Sequence, residues 1–218
     1  KEVGGDFYDF YFVNKDTLAF LIADVSGKGI PAAMFMMNAK AVLKSYAESG
    51  LDVNKVFTLT NEKLCEGNDA GMFVTAWMGF LNTETGEVTF ANAGHNPPLV
   101  RHADGSFEYL KVRAGFVLAG MEGVKYRKNE LQLAPGDVIY LYTDGVTEAT
   151  NINDELYGED RLLALLNANK EASMEELCKL VKEDVFVFAG EAPQFDDITM
   201  LALKYCGATA PTNQEEAL

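Results

Sequence analysis

The sequence predicts an α+β fold of antiparallel sheets flanked by helices, compatible with a helix–sheet–sheet–helix order of layers. Apolar runs of strand length follow one another in pairs, with short turn sequences between them. Helical segments interrupt these pairs too irregularly to serve as the crossovers of a parallel sheet. With 218 residues, 48% of them hydrophobic, the chain can bury the core of a single domain.

The first two strands are predicted at residues 7–13 and 17–25, where aromatic and aliphatic residues predominate. Asn-Lys-Asp lies between them and is typical of a short hairpin loop. The second strand is apolar almost without interruption until Asp24, which is the pattern of a buried strand. Asp24 therefore emerges where a buried strand ends, and an uncompensated carboxylate there would be unfavourable.

Two helices are predicted to follow. Pro31 suits the first turn of a helix, where no amide donor is needed, and this helix should end near Glu48. Asp52 is the predicted N-cap of the second helix, in which Val56 and Leu64 belong to one apolar stripe.

Strands dominate the middle of the chain. Turn sequences such as Thr-Glu-Thr-Gly and Ala-Pro-Gly separate the apolar runs and predict a meander. The predicted strands are residues 72–82, 87–92, 99–102, 106–110, 126–133 and 137–142.

Helices return at residues 159–167 and 174–188, and Ser173 with Glu176 forms a capping box before the second of them. A last strand is predicted at residues 198–205. We therefore expect one domain over residues 1–205 and a polar tail or linker over residues 206–218. The first residue is not Met, so we expect a longer protein, and we leave open whether a first strand of the domain precedes Lys1.

Composition excludes several classes of protein. A formal charge of −15 and a pI near 4.5 argue against binding nucleic acid, which depends on Lys and Arg contacts with phosphate. No apolar run approaches the roughly 20 residues of a membrane helix. Cys65, Cys178 and Cys206 are odd in number and form no Cys-x-x-Cys pair, which disfavours a disulfide framework or a thiolate zinc site. We expect a cytoplasmic protein with no membrane segment in this chain.

Five short motifs carry the functional signal, and most of them place an Asp where a strand gives way to a turn. Carboxylates that end separate strands of a sheet can converge, and carboxylate oxygens without Cys or His suit hard divalent cations. The motifs are Gly4-Gly5-Asp6-Phe7-Tyr8-Asp9, Asp24-Val25-Ser26-Gly27-Lys28-Gly29, Ala93-Gly94-His95-Asn96-Pro97-Pro98, Thr143-Asp144-Gly145 and Phe195-Asp196-Asp197-Ile198-Thr199.

Each motif has a structural interpretation as well. Asp24 could hold a metal or could accept hydrogen bonds from the following turn as a cap, and on its own the two readings are equal. Asp144, like Asp24, follows an apolar run of strand length. Adjacent Asp196 and Asp197 should point to opposite sides. His95 has no metal-ligand partner at a suitable spacing, so organising its loop is the favoured role.

Other enzyme classes fit poorly. Ser26-Gly27-Lys28-Gly29 lacks the spacing of a Walker A loop, and the chain has no Gly-x-Ser-x-Gly nucleophile elbow. Gly4-Gly5-Asp6-Phe7 is superficially similar to the Gly-Gly-Asp-Glu-Phe loop of diguanylate cyclases but lacks the Glu, and the other motifs would have no role there.

Taken in order, the five motifs resemble those of the SpoIIE/RsbU branch of PPM-type metal-dependent serine/threonine phosphatases. The resemblance runs over residues 3–204, and Tyr157-Gly158 and Arg161-Leu162 also fall in place. It implies a central sandwich of two antiparallel sheets flanked by helices, in α-β-β-α layers, with two Mg²⁺ or Mn²⁺ ions at one end.

The resemblance also implies a ligand set. By motif position, Asp6 and Asp24 match metal ligands, with Asp24 shared by both ions, and Val25 would contribute its backbone carbonyl. Asp144 and Asp196 match the remaining carboxylates. Asp197 is the less favoured member of its pair, and whether Asp9 or Asp197 touches metal stays open. The expected reaction is attack on phosphorus by a water that the two ions activate, without a phosphoenzyme.

The resemblance implies partners too. The usual substrate in this branch is a phosphorylated STAS-domain anti-anti-sigma factor in a partner-switching pathway. An upstream sensor or dimerisation module is expected to regulate the domain through the helix that begins at Pro31. The arginine that holds substrate phosphate in animal relatives has no evident equivalent, which leaves phosphate binding to the metals. A catalytically weak or inactive regulatory binding module is the alternative.

Overall fold

A computed structural model of the chain describes residues 4–103, 105–194 and 196–208. Nine strands and five helices lie in these segments. The strands are β1 Phe7–Asn14, β2 Thr17–Val25, β3 Val74–Asn82, β4 Glu87–Ala93, β5 Leu99–Arg101, β6 Phe107–Tyr109, β7 Asn129–Gln132, β8 Val138–Tyr142 and β9 Met200–Lys204. The helices are α1 Gly29–Glu48, α2 Val53–Cys65, α3 Asp144–Thr147, α4 Glu159–Ala168 and α5 Met174–Ala189.

The strands form two antiparallel sheets. The first contains five strands in the order β1-β2-β3-β4-β7, and the second contains four in the order β6-β5-β8-β9. In the first sheet Asp24 of β2 lies opposite Thr75 of β3, and Val25 lies opposite Val74.

The two sheets pack face to face. Between them Trp77 contacts Phe20 and Phe90, with ring centroids 5.3 Å apart in each pair, and Ile139 and Leu141 of the second sheet join this core. These ring contacts bury a large apolar area and so hold the two sheets together.

Helices cover the outer face of each sheet. Leu43 of α1 and Phe57 of α2 pack on the first sheet, whereas Leu162 of α4 and Val181 of α5 pack on the second. The predicted α+β fold with four α-β-β-α layers is therefore confirmed.

The motif residues Tyr157 and Arg161 join α4 to α5. Arg161 donates two hydrogen bonds to Asp184, at 2.8 and 2.9 Å, and Tyr157 donates a third at 2.7 Å. The guanidinium also lies over the Tyr157 and Phe188 rings. These residues stabilise the outer helical layer of the second sheet, and their role is structural.

Apart from shifts of one or two residues at the ends of strands and helices, the predicted elements differ from the structure in three places. Residues 126–128 precede β7 instead of belonging to it, because the Tyr126 hydroxyl donates to Asn61 and the ring packs edge-on against Phe57. Asp52 occupies the N-cap position of α2, but its side chain makes no capping hydrogen bond there. The one-turn helix α3 was not predicted, since Asp144 looked like a turn residue.

Other predicted details agree or fall outside the described segments. Ser173 caps α5 by accepting a hydrogen bond from the Glu176 amide, as predicted. Residues 1–3, Asp104, Phe195 and, within the predicted tail, residues 209–218 lie outside the described residues. In the described part of the chain, no helix is long and apolar enough to cross a membrane.

Candidate metal centre

Strand alternation explains why the predicted carboxylates meet at one end of the sandwich. In β2, Phe20 and Ile22 face the second sheet, so Asp24, two residues further, emerges on the same side. In β8, Ile139 and Leu141 face the first sheet, and Thr143 continues that series. Both strands therefore direct polar side chains into the mouth of the gap between the sheets.

Asp6 also belongs to this end. The hydroxyl of Thr143 donates to Asp6 Oδ2 at 2.7 Å, and the Thr143 Oγ1 in turn accepts from the Thr199 amide at 3.1 Å. Burial raises the pKa of Asp6, and the hydrogen bond from Thr143 acts against that rise. A carboxyl group from the first sheet is thus held by the ends of two strands of the second.

Asp24 lies in hydrogen-bonding contact with Asp6. Burial, followed by the charge of Asp6, raises the pKa of Asp24, and Asp144 and Asp196 add to the rise. The turn after Asp24 is held in another way, because Ser26 and Phe73 exchange hydrogen bonds of 2.9 Å through the Ser26 amide and hydroxyl. These contacts favour the metal-ligand reading of Asp24 over a capping role.

Asp144 begins the short helix α3 immediately after Thr143. Burial and the neighbouring charge of Asp196 raise the pKa of Asp144. Glu148 ends the same turn and faces the same charges, since burial, Asp144 and Asp196 together raise its pKa. Glu148 was not among the predicted site residues, although its position four residues after Asp144 would have placed it beside that residue on a helix.

Asp196 and Asp197 diverge, as predicted for adjacent residues. Asp196 Oδ2 lies 3.5 Å from the Lys28 ammonium, and its Oδ1 accepts from the Asp197 amide at 2.8 Å. Asp197 accepts from the Gly5 amide at 3.0 Å and so ties the segment before β9 to the segment before β1.

Asp9 lies away from this group. Its carboxylate is 3.4 Å from the Lys40 ammonium of α1, on the helical face of the first sheet. The separation from Asp6 follows from strand alternation, because residues three apart point to opposite faces.

Val25 is buried, and its carbonyl oxygen lies against Gly5. A Cβ atom on Gly5 would stand 2.8 Å from that oxygen, closer than side-chain carbons approach in proteins. Gly5 is therefore required for close backbone approach between the start of β1 and the end of β2. The assignment of the Val25 carbonyl as a metal ligand stays a prediction.

His95 is buried and connects the two sheets beside the acidic group. Its Nδ1 lies 2.9 Å from Thr75 Oγ1, and its Nε2 lies 3.1 Å from the carbonyl oxygen of Tyr142. Burial lowers the pKa of His95 to about 4, so the ring is neutral near pH 7. Because a carbonyl can only accept, Nε2 carries the proton and Nδ1 accepts from Thr75. Asn92 fixes the His95 backbone through hydrogen bonds of 2.8 and 2.9 Å.

The side chains at this end fit hard divalent cations in chemical type. They present carboxylate oxygens, they are partly buried, and their mutual repulsion is relieved by positive charge. Across residues 4–103, 105–194 and 196–208, however, no three His, Cys, Asp or Glu side chains are grouped closely enough to hold an ion as they stand. Asp6 and Asp24 are in contact, and the charges of Asp144 and Asp196 act on Asp24.

Solved structures identify the class of domain. An RsbU and RsbW domain structure from Mycobacterium tuberculosis superposes with a TM-score of 0.83 at 26% identity, covering 95% of this chain and 57% of that one. The SiaA-PP2C domain of Pseudomonas aeruginosa gives 0.80 at 26% identity, covering 93% of this chain and 80% of that one. The fold is that of the PP2C-type phosphatase domains.

The family can be stated as well. The sequence profile of the family named Stage II sporulation protein E (SpoIIE) matches residues 14–205, and the chain belongs to that family. Phosphoserine phosphatase RsbU of Bacillus subtilis is 32% identical over 94% of this chain and 60% of its own length. The chain spans 36% of the length of Protein IcfG of Synechocystis sp., to which it is 32% identical, and 60% of the length of RsbU, so it corresponds to one part of those proteins. The predicted family and fold are confirmed.

Proposed function

We propose that this domain is a metal-dependent protein phosphatase that hydrolyses phosphoserine or phosphothreonine. The contact between Asp6 and Asp24, with the charges of Asp144 and Asp196 acting on Asp24, is the observation that supports it most directly. Partly buried carboxyl groups in contact are unfavourable in a merely structural role, because burial and like charge both oppose their ionised forms.

The proposed ligands are the side chains of Asp6, Asp24, Asp144 and Asp196, with the backbone carbonyl of Val25. Two Mn²⁺ or Mg²⁺ ions bound there would supply charge neutralisation and Lewis-acid activation of water for attack on phosphorus.

The remaining residues position this set. Thr143 orients Asp6 through its hydroxyl, and Thr199 holds Thr143 in turn. His95 joins the strand opposite Asp24 to the strand end before Asp144, which fixes the distance between two carboxylates that belong to different sheets. Such supporting hydrogen bonds commonly change metal affinity by about 10- to 100-fold.

Turnover of a phosphoserine peptide at saturating Mn²⁺ tests the proposal. Asp24→Asn and Asp144→Asn should each lower kcat/KM by about a hundredfold or more, because a neutral amide is a weaker ligand for a hard cation. Asp9→Asn is the matched control, since Asp9 belongs to the same motif as Asp6 but pairs with Lys40. Near-normal turnover by either of the first two variants would contradict the ligand assignment.

For the substrate, we propose a phosphorylated STAS-domain protein in a partner-switching pathway. The support is the similarity to the phosphoserine phosphatase RsbU and to a protein in which an RsbU domain is joined to an RsbW domain. Phosphorylated STAS proteins encoded near this gene should be dephosphorylated faster than an unrelated phosphoprotein at equal concentration. Equal rates for both would remove the substrate assignment without affecting the phosphatase assignment.

For regulation, we propose that an upstream sensor or dimerisation module acts through α1. This helix begins four residues after Val25, and Ile30, Met34 and Met37 on it are about two thirds exposed. In the full-length protein, Met36→Asp should uncouple activity from its input signal. A variant with an unchanged response would show that regulation takes another route.

The alternative of a regulatory binding module without catalysis predicts a different outcome. Such a protein would neither bind two metal ions nor turn over a phosphopeptide, and calorimetry with Mn²⁺ alone distinguishes it from an enzyme offered the wrong peptide. The cytoplasmic location and the boundary at residue 205 stay predictions.

A further inference from the structure

Substrate phosphate must approach an end of the sandwich that is rich in carboxylates, on a protein with a formal charge of −15. Bound divalent cations offset part of that charge, but a phosphomonoester carries up to two negative charges of its own. A positively charged side chain beside the metal ligands would help to retain the phosphoryl group.

We propose that Lys28 binds the phosphoryl group of the substrate, an inference that rests on the proposed phosphatase function. The Lys28 ammonium lies 3.5 Å from Asp196 Oδ2, and its charge also acts on Asp144. A phosphoryl group bound beside Asp196 would therefore lie close to the Lys28 ammonium.

Lys28 can contact Asp196 and a phosphate oxygen together. The ammonium carries three hydrogen-bond donors on a flexible stem, so it can turn toward a phosphate oxygen while it stays close to Asp196. Half of the Lys28 side chain is exposed, which means that an anion can reach it from solvent. Lysine suits this task because it acts as a compact positive charge on a flexible stem.

The backbone around Lys28 leaves room for a ligand. Gly27 and Gly29 flank it with φ angles of +88° and +77°, and a Cβ atom on either glycine would meet none of the described residues within 4 Å. The space on both sides of the Lys28 backbone is therefore open, whereas Gly5 and Gly145 at the same end are tightly packed.

Other basic side chains are less suitable. Arg161 is bound by two hydrogen bonds to Asp184, and Arg101 is buried against Phe107. Lys182 borders an opening of about 570 Å³ that also includes Asp6, but its ammonium lies over the Phe186 ring. Among the described residues, Lys28 is the basic side chain that forms an ion pair with one of the four proposed carboxylate ligands.

The role proposed for Lys28 is binding, with no proton or covalent transfer. Because Lys28 acts only by contact with the phosphoryl group, its contribution should be seen with substrate phosphate and with the orthophosphate product alike. This shared chemistry allows binding to be tested apart from turnover.

The test compares Lys28→Gln, Lys28→Arg and the wild-type protein, each loaded with Mn²⁺, in two assays. Calorimetric titration with orthophosphate should give a dissociation constant about tenfold higher for Lys28→Gln, and KM for p-nitrophenyl phosphate should rise similarly. Lys28→Arg should stay within about threefold of the wild type, because it keeps the charge. The affinity for Mn²⁺ should change by less than about twofold in both variants.

Lys40→Gln is the matched control, since Lys40 lies on α1, the helix that follows Lys28, and pairs with Asp9 at 3.4 Å. It should change neither assay. An orthophosphate affinity of Lys28→Gln within twofold of the wild type would overturn the inference. So would a change confined to Mn²⁺ affinity, which would make Lys28 a counter-ion of Asp196 only. A wild-type protein that binds Mn²⁺ and orthophosphate but hydrolyses neither p-nitrophenyl phosphate nor any phosphopeptide would refute the proposed function, while the titrations would still decide the role of Lys28.

Discussion

The hydroxyl of Thr143 lies 2.7 Å from a carboxylate oxygen of Asp6, although 137 residues separate them in the chain. Asp6 precedes the edge strand of one sheet, and Thr143 follows a central strand of the other. This hydrogen bond and the contacts of His95 join the two sheets at the end where the carboxylates gather. The site is therefore sensitive to residues that are not ligands.

Thr143→Val should weaken metal binding while leaving most of the fold intact. Valine has nearly the same shape, but it cannot donate to Asp6 or accept from the Thr199 amide. We expect the dissociation constant for Mn²⁺, measured by calorimetry, to rise by about 10-fold or more. Thr143→Ser keeps the hydroxyl and should lie close to the wild type. Equal affinities for the Val and Ser variants would show that this hydrogen bond does not orient Asp6.

His95→Asn should destabilise the fold by about 2–3 kcal/mol at pH 7, because the Thr75 hydroxyl and the Tyr142 carbonyl each lose a buried partner. The destabilisation caused by His95→Asn should also depend on pH. Burial lowers the pKa of His95 from 6.5 to about 4, so between these values the unfolded chain binds a proton that the folded chain does not.

The His95 contribution to stability is therefore complete above about pH 6.5 and is lost as the pH falls toward 4. Urea unfolding at pH 7 and pH 4 should show the advantage of wild type over His95→Asn shrinking by about 3 kcal/mol. A pH-independent difference would mean that the ring is not buried in its neutral form.

The sequence predicted most helices and strands, because a periodic pattern of hydrophobic residues usually ends at a recognisable turn or capping sequence. The strand pair formed by β1 and β2 is an example, since two apolar runs flank a polar loop. The strand pattern alone predicted that Asp24 and Asp144 emerge where buried strands end. The set of four carboxylates at one end of the sandwich came from the order of the family motifs.

The supporting residues were harder to predict. Thr143 and Thr199 gain their role from a contact between distant strand ends, and a lone Thr carries no periodic signal of such a contact. Glu148 depends on α3, a single turn that is too short to show helical periodicity. Interactions that depend on how two sheets pack together cannot be read from either strand separately.

Gly145→Ala should disturb the site through the backbone. A Cβ atom on Gly145 would overlap the carbonyl group of Asp197. Because this group belongs to the main chain, it cannot move aside as easily as the end of a flexible side chain. We expect destabilisation of about 1–3 kcal/mol and weaker binding of Mn²⁺, since the neighbouring Asp196 must shift. Gly105→Ala is the control, because its Cβ would meet nothing nearer than 3.6 Å. Thermal unfolding should give a lower melting temperature for Gly145→Ala than for Gly105→Ala, and calorimetry should give weaker Mn²⁺ binding. Equal values for the two variants would contradict the packing argument.

Asp137 was not singled out from the sequence, yet it organises the start of β8. Its carboxylate accepts from the Ala103 and Ala134 amides, at 2.8 and 3.0 Å, and from His102 at 2.8 Å. Burial opposes ionisation, but these hydrogen bonds prevail and lower the pKa of Asp137. Its stabilising contribution is therefore present above the ordinary pKa of Asp and is lost as the pH falls through the lowered value.

Asp137→Ala should lower the free energy of unfolding by about 2 kcal/mol near pH 7, because the Ala103 and Ala134 amides, in partly buried hydrogen bonds, lose their acceptor. His102→Ala removes one donor from a half-exposed side chain and should have an effect below about 1 kcal/mol. Urea denaturation measures both, and a larger effect for His102→Ala would show that the ion pair, rather than the amide contacts, stabilises this turn.

Asp24→Asn should change stability in opposite directions with and without metal. Burial and the neighbouring Asp6 disfavour the Asp24 carboxylate, so a neutral amide should raise the free energy of unfolding of the metal-free protein by on the order of 1–2 kcal/mol. With Mn²⁺ at about 100 times its dissociation constant, the wild type should gain about 2.7 kcal/mol, and the variant should gain little because it binds the ion weakly. The order of the two unfolding temperatures should therefore reverse when chelator is replaced by Mn²⁺.

Asp9→Asn should show no reversal, since Asp9 pairs with Lys40. If Asp24→Asn were less stable than the wild type in chelator and equally stabilised by Mn²⁺, Asp24 would be a structural residue and the metal centre would lie elsewhere.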